Sequence, residues 1–165
     1  MFVLAGCIGW GNEKVGQEKD RIRNLRILFH ILGQMRSEIS YGKHTLPEIC
    51  LILAEKNDEC YKMCFRRIYE HTQTENTVAF PEAWAMEMKS CLEKLPLLED
   101  ERQSVVELPK TLNFQEESEQ AGRIRQAEDF LESRYRQAEE AFANRSKMIR
   151  SISILTGLLL AILLL

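Results

Sequence analysis

No stretch of this chain carries the glycine-rich loop that cradles phosphates, the strained serine turn of hydrolases, the HExxH step of zinc peptidases or an aspartate-rich calcium loop. Their absence removes the ordinary signatures of phosphoryl transfer, serine hydrolysis and metallopeptidase chemistry. Histidine is scarce: His30, His44 and His71 fall on a predicted helix, a turn and a polar linker, too scattered to serve as a base and its orienting partner. No Glu-x-x-His step occurs, which excludes the usual carboxylate dimetal site of a helical bundle. The net charge of −3 supplies no basic field, so composition offers no argument for a nucleic-acid partner. Period-two alternation with turn dipeptides is missing as well, and with it the case for a sheet. The chain also lacks internal repeats, Gly/Ser linkers and low-complexity tracts, and with 45% hydrophobic and 28% charged residues it has the composition of one folded domain.

The five cysteines, Cys7, Cys50, Cys60, Cys64 and Cys91, are an odd number without framework spacing, unlike a disulfide-stapled secreted scaffold. Cys60 and Cys64 share a helix face and would suit two metal ligands, but no second pair matches them. They read as small thiols on an amphipathic helix.

What the chain does have is a long apolar end. Residues 151–165 read SISILTGLLLAILLL without an ionisable side chain. As a helix they reach roughly 22 Å, and starting at Met148 extends this to roughly 27 Å, close to a hydrocarbon core of about 30 Å once Arg150 snorkels. Residues 148–165 are therefore predicted to form a C-terminal transmembrane helix. Arg136, Arg145, Lys147 and Arg150 precede it, which keeps the domain before the span in the cytoplasm. The other end, MFVLAGCIGWG, is apolar but reaches only roughly 16 Å as a helix. It is followed by Lys14, Lys19, Arg21, Arg23 and Arg26, so both ends point the same way. Leu4-Ala5-Gly6-Cys7 has the look of a lipoprotein box without the charged and apolar regions that should precede one. Residues 1–12 read better as a truncated membrane helix.

Between the ends, over residues 17–147, the pattern predicts an all-α domain of about six helices. Ile22, Leu25, Leu28, Phe29, Leu32, Met35 and Ile39 form a stripe on a first helix that runs to about Tyr41 and stops at Gly42. Thr45-Leu46-Pro47-Glu48 announces a second, with Thr as N-cap and Glu closing a capping box. Asn57 and Asp58 separate it from a third, whose inward residues are expected to be Cys60, Met63, Cys64, Ile68 and Tyr61 or Phe65. His71 to Thr77 reads as a loop. Pro81 opens a fourth helix with Ala83, Trp84, Met88, Cys91 and Leu92 inward, and Pro96 closes it. Leu97 to Leu108 is a fifth, and a sixth begins near Gln115 with Ile124, Ala127, Leu131, Tyr135, Ala138 and Phe142 on its apolar face. The acidic runs Glu99 to Glu101 and Glu116 to Glu119 read as helix N-termini answering the macrodipole. The Arg and Glu residues from 123 to 140 read as a solvated face with local ion pairs.

Two function classes remain: a membrane-tethered interaction module, and a helical bundle binding a metal or small ligand. The missing ligand spacing favours the first. No enzymatic turnover, cofactor or required metal is expected.

Several short motifs then add a resemblance. Arg21-Ile22-Arg23-Asn24-Leu25-Arg26, Glu38-Ile39-Ser40-Tyr41-Gly42 with Thr45 to Pro47, and Ala83-Trp84 come first. Thr111-Leu112, Gln120 to Ile124, Lys147-Met148 and Gly157-Leu158-Leu159-Leu160 follow. In this order and spacing the chain resembles the stage III sporulation protein AB family of endospore-forming bacteria. The resemblance implies a subunit of the channel between mother cell and forespore, held in the mother-cell membrane around the forespore. Its helical domain would be similar to the platform (GspF-like) domain of type II secretion and type IV pilus systems and would face the cytoplasm. The partners implied are the AA-like ATPase of the same operon, other channel subunits and membrane lipid, with an oligomer possible. The partner-binding surface expected is the turn of Tyr41, Gly42, Lys43 and His44. A second role within the resemblance is a tethered helical protein that only stabilises other membrane subunits.

Overall fold

A computed structural model describes the backbone of residues 2–42, 44–73, 78–112 and 117–163. Side chains are described over 15–145 of these, apart from Glu59, Thr111 and Glu117, and at Met148. The chain forms α1 (Phe2–Ser37), which widens into a π-turn (Glu38–Gly42), then α2 (Leu46–Lys56), α3 (Glu59–Gln73), α4 (Phe80–Leu92) and α5 (Glu99–Val106). A 3₁₀ turn (Leu108–Thr111) leads to α6 (Glu117–Leu163). Among the described residues there is no strand.

The long helices α1 and α6 pack along each other, and α2 to α5 stack in sequence on them. Their direction is fixed by the pairs between them. Glu18 meets Arg145, Lys19 lies under the Phe142 ring, Arg26 meets Tyr135 and Glu139, and Arg36 meets Glu128. Numbers rise along α1 as they fall along α6, so the helices are antiparallel over residues 18–36 and 128–145.

The apolar stripe of α1 faces the core as expected, with Leu25, Leu28, Leu32, Met35 and Ile39 buried, and Ile31 joins it. Ala83, Trp84, Met88, Cys91 and Leu92 of α4 are buried too. So are Ile124, Leu131 and Ala138 of α6, while Ala127 and Tyr135 pack partly buried against them. In α3 the inward face is rotated from its expected position. Tyr61, Cys64, Phe65 and Ile68 are buried at steps of three and four, whereas Cys60 is exposed at the rim and Met63 is 44% exposed. Phe65 packs inward against the Trp84 ring of α4, with centroids 5.9 Å apart, and the Tyr61 hydroxyl donates to Asn24 Oδ1 of α1 at 3.4 Å.

The linker expected from His71 is also shorter at its start, because α3 continues through Gln73. The fifth helix is split: α5 ends at Val106, and Pro109, which has no N–H to offer an α-helix, sits in the 3₁₀ turn that follows. Among the described residues no helix is long and apolar enough to cross a membrane. The segments expected to meet the membrane, 1–12 and 148–165, lie outside the described side chains apart from Met148, which is 60% exposed.

Candidate functional site

The turn expected to meet a partner sits where α1 hands over to α2. Ile39, 4% exposed, pins the π-turn to the core, while Tyr41 two residues later is 86% exposed. A phenol ring standing free of the fold is an unusual use of an aromatic, since most of its apolar area is left in water. Lys43 lies outside the described residues. His44 is exposed, with its Nε2 4.0 Å from Glu38 Oε2. Lys56 at the end of α2 approaches the other carboxylate oxygen of Glu38 at 3.3 Å.

Gly42 is used differently from an ordinary helix cap. It does not take a left-handed conformation; its value is room, because a Cβ there would come 2.7 Å from Glu38 Oε2 and 2.8 Å from His44 Cδ2. The missing side chain lets the Glu38 carboxylate and the His44 ring close over the backbone. Immediately after it, Glu48 Oε2 accepts from both the Thr45 N–H and the Thr45 hydroxyl at 2.8 Å. These bonds to the charged form hold the Glu48 carboxyl below its usual range. The capping box therefore works through its Glu arm, and the turn is clamped at both ends.

Behind the turn, Arg36 Nε donates to Glu128 Oε2 at 2.8 Å, which raises the guanidinium pKa through that bond. Glu128 is only 9% exposed, so part of the polar face of α6 is turned into the molecule. The run from Arg123 to Glu140 is thus more than a solvated face. Arg134 pairs with Asp100 and Tyr135 accepts from Arg26, whereas Arg136 with Glu132 and Gln137 with Ser133 are local steps of four. Glu101 corrects the reading of its acidic run more sharply. It is 0% exposed and bound by Arg21, whose Nε donates to Oε2 at 3.1 Å and whose pKa rises mainly through that hydrogen bond.

A second polar locus lies between α3 and α4. Cys60 Sγ is 3.1 Å from Cys91 Sγ, beside buried Cys64, in a pocket of about 310 Å³ also lined by Met63, Arg67, Glu87 and Lys94. Cys60 and Cys64 were legible as a pair on one helix face; Cys91 was not, because only packing brings α4 to it. Among the described residues no group of three or more His, Cys, Asp or Glu is placed to hold a metal ion.

None of these places sets a nucleophile against a base and an oxyanion donor. The Tyr41 turn offers an exposed aromatic on a clamped backbone, with Glu38, His44 and Lys56 beside it.

The comparisons with known proteins point to one family. The model of the stage III sporulation protein AB family matches residues 1–165. Stage III sporulation protein AB of Bacillus subtilis (strain 168) is 27% identical over 164 residues, covering 99% of this chain and 95% of that protein. A solved structure of a stage III sporulation protein AB has a TM-score of 0.66 at 22% identity, covering 75% of this chain and 97% of its own. At that identity the structure speaks for the fold alone.

Proposed function

Because this chain belongs to the stage III sporulation protein AB family, we propose that it is a non-enzymatic, membrane-anchored subunit of the channel between mother cell and forespore. Its helical domain, residues 17–147, stands on the cytoplasmic side of the mother-cell membrane around the forespore and docks an AA-like ATPase. The observation that carries the reading is the antiparallel pairing of α1 with α6. Glu18, midway along α1, lies beside Arg145 in the second half of α6, and from this pair the chain runs toward the apolar stretch 1–12 in one direction and toward 148–165 in the other. A domain tethered there holds its opposite end away from the bilayer. The π-turn with Tyr41 follows the C-terminal end of α1, so it is turned away from the anchor and toward a cytoplasmic partner. The likeness to secretion and pilus platform domains belongs to the same reading, since both present a rigid helical body to a motor.

Two measurements test it. Alkaline carbonate washing should leave the protein in the membrane pellet, and release to the supernatant would end the anchoring claim. Calorimetric titration of the full-length protein in detergent with the AA-like ATPase should give binding that Tyr41→Ala weakens about tenfold or more, as loss of an exposed aromatic anchor does. Absence of heat at tens of micromolar, with the helices intact by circular dichroism, would favour the role of only stabilising other membrane subunits.

A further inference from the structure

The α3–α4 seam contains chemistry that channel assembly does not use. Cys60 of α3 and Cys91 of α4 place their sulfurs 3.1 Å apart, roughly 1 Å beyond the 2.05 Å or so of a disulfide bond. The two residues are 31 apart in sequence, so their meeting is a product of packing. Cys60 is exposed, whereas Cys91 is 6% exposed and lines the pocket that opens beside it. The opening is suited to a small, uncharged oxidant.

We propose that this seam is a hydroperoxide-reactive dithiol, in which Cys91 attacks and Cys60 resolves. In the first step the Cys91 thiolate attacks one oxygen of hydrogen peroxide, the O–O bond breaks, and hydroxide leaves to be protonated to water. Cys91 is then a sulfenic acid. In the second step the Cys60 sulfur displaces hydroxide from the Cys91 sulfur, and its proton completes the second water. Two thiols have given up two electrons and two protons, one peroxide has become two waters, and a Cys60–Cys91 disulfide joins α3 to α4.

The surroundings of the three thiols assign the roles. Thiols of Cys64 and Cys60 donate toward the Cys91 sulfur, and with the Lys94 ammonium they outweigh burial and the Glu87 carboxylate, bringing Cys91 down to about 7. When protonated, Cys91 can instead donate to the Cys60 carbonyl at 3.8 Å. Cys60 is raised to about 11, first by desolvation and then by the Cys91 sulfur. Cys64 is pushed up strongly by its bond to Cys91 and by burial, which keeps it a donor. The other charges at the pocket neutralise each other: Arg67 lies 3.7 Å from Glu87, whose second oxygen is 3.2 Å from His71. Cys50, the fourth described cysteine, is buried, and desolvation alone drives its pKa up.

The test uses the full-length protein in detergent, treated with hydrogen peroxide and mapped by mass spectrometry after alkylation. The expected product is an intramolecular Cys60–Cys91 peptide pair, formed faster than in the urea-unfolded chain and reversed by dithiothreitol. The rate should rise with pH to a plateau with a midpoint near the thiolate value of Cys91. Cys60→Ser should accumulate a dimedone adduct on Cys91, and Lys94→Met should slow the reaction at pH 7 by roughly fivefold if it raises the Cys91 value by one unit. The proposal fails if the wild-type protein forms no such link, forms it only between molecules, or oxidises Cys91 no faster folded than unfolded. Because this readout on the wild-type protein needs no substitution, a variant that failed to fold would not protect the idea.

Discussion

Glu101 occupies two roles with one carboxylate. It accepts the Leu98 N–H at 2.9 Å, satisfying a donor at the start of α5, and it binds the Arg21 guanidinium of α1 while fully buried. Removing the cation would leave a buried charge without its partner, the costly way to break such a pair. Arg21→Ala should lose about 3 kcal/mol in urea unfolding, the low end for a buried pair because Arg21 keeps a fifth of its side chain in water. Arg21→Met with Glu101→Gln should recover most of that loss, since Gln keeps an acceptor for Leu98 and strands no charge. Gly42 is the other residue whose role is sharply local. In Gly42→Ala the atoms met are ends of side chains, so the domain should stay folded with a loss within about 1 kcal/mol while Glu38 swings away from Lys56. If the turn is the docking surface, ATPase binding should fall although the urea midpoint hardly moves.

At the scale of the helix, α2 owes its start to a short string that can be read directly. Thr45, Pro47 and Glu48 act through bonds spanning three residues, so neighbours in sequence are neighbours in space. The depressed Glu48 carboxyl has a definite sign in stability. Its contribution is present above the unfolded value of about 4.3 and is lost as pH falls through the lower folded value. Glu48→Gln should therefore flatten the acid limb of the stability curve and leave neutral pH less affected, which thermal melts between pH 2 and pH 7, ranges of about that width, would show. The face of α3 was harder to read. Tyr61, Cys64, Phe65 and Ile68 and the alternative set with Cys60 and Met63 are both spaced as helix faces, and a partial rotation separates them. The ring of Trp84 decides between them by taking Phe65 inward.

Across the whole molecule, Trp84 joins three helices. Its ring packs against Phe65 of α3 and Phe80 of its own helix, and its Nε1 donates to the Val105 carbonyl of α5 at 2.9 Å. Trp84→Phe removes volume from a site with no solvent access and takes the indole donor away from that carbonyl. A loss of about 2 to 3 kcal/mol is expected from urea titration, with the α3–α4 and α4–α5 contacts loosened together. The antiparallel pairing of α1 with α6 works at the same scale. Surface pairs such as Arg26 with Glu139 and Arg145 with Glu18 select the register more than they stabilise it, because exposed ion pairs contribute little. Leu25, Leu28, Ile124 and Leu131 supply the burial.

The helical class, the inward faces of α1, α4 and α6 and the cap of α2 were determined by the sequence itself. Each rests on contacts between residues a few positions apart, where periodicity and capping chemistry carry the information. The family was legible for a related reason, since its short motifs keep their order along the chain. Tertiary structure alone decided that Glu101 and Glu128 turn inward, that α3 presents Tyr61 and Phe65, and that Cys91 reaches Cys60. Nothing near Glu101 in sequence distinguishes it from Glu99 or Asp100; Arg21 does, from 80 residues away. A charge, an aromatic face or a thiol pair acquires its role from whatever packing brings opposite it, and no local pattern records that.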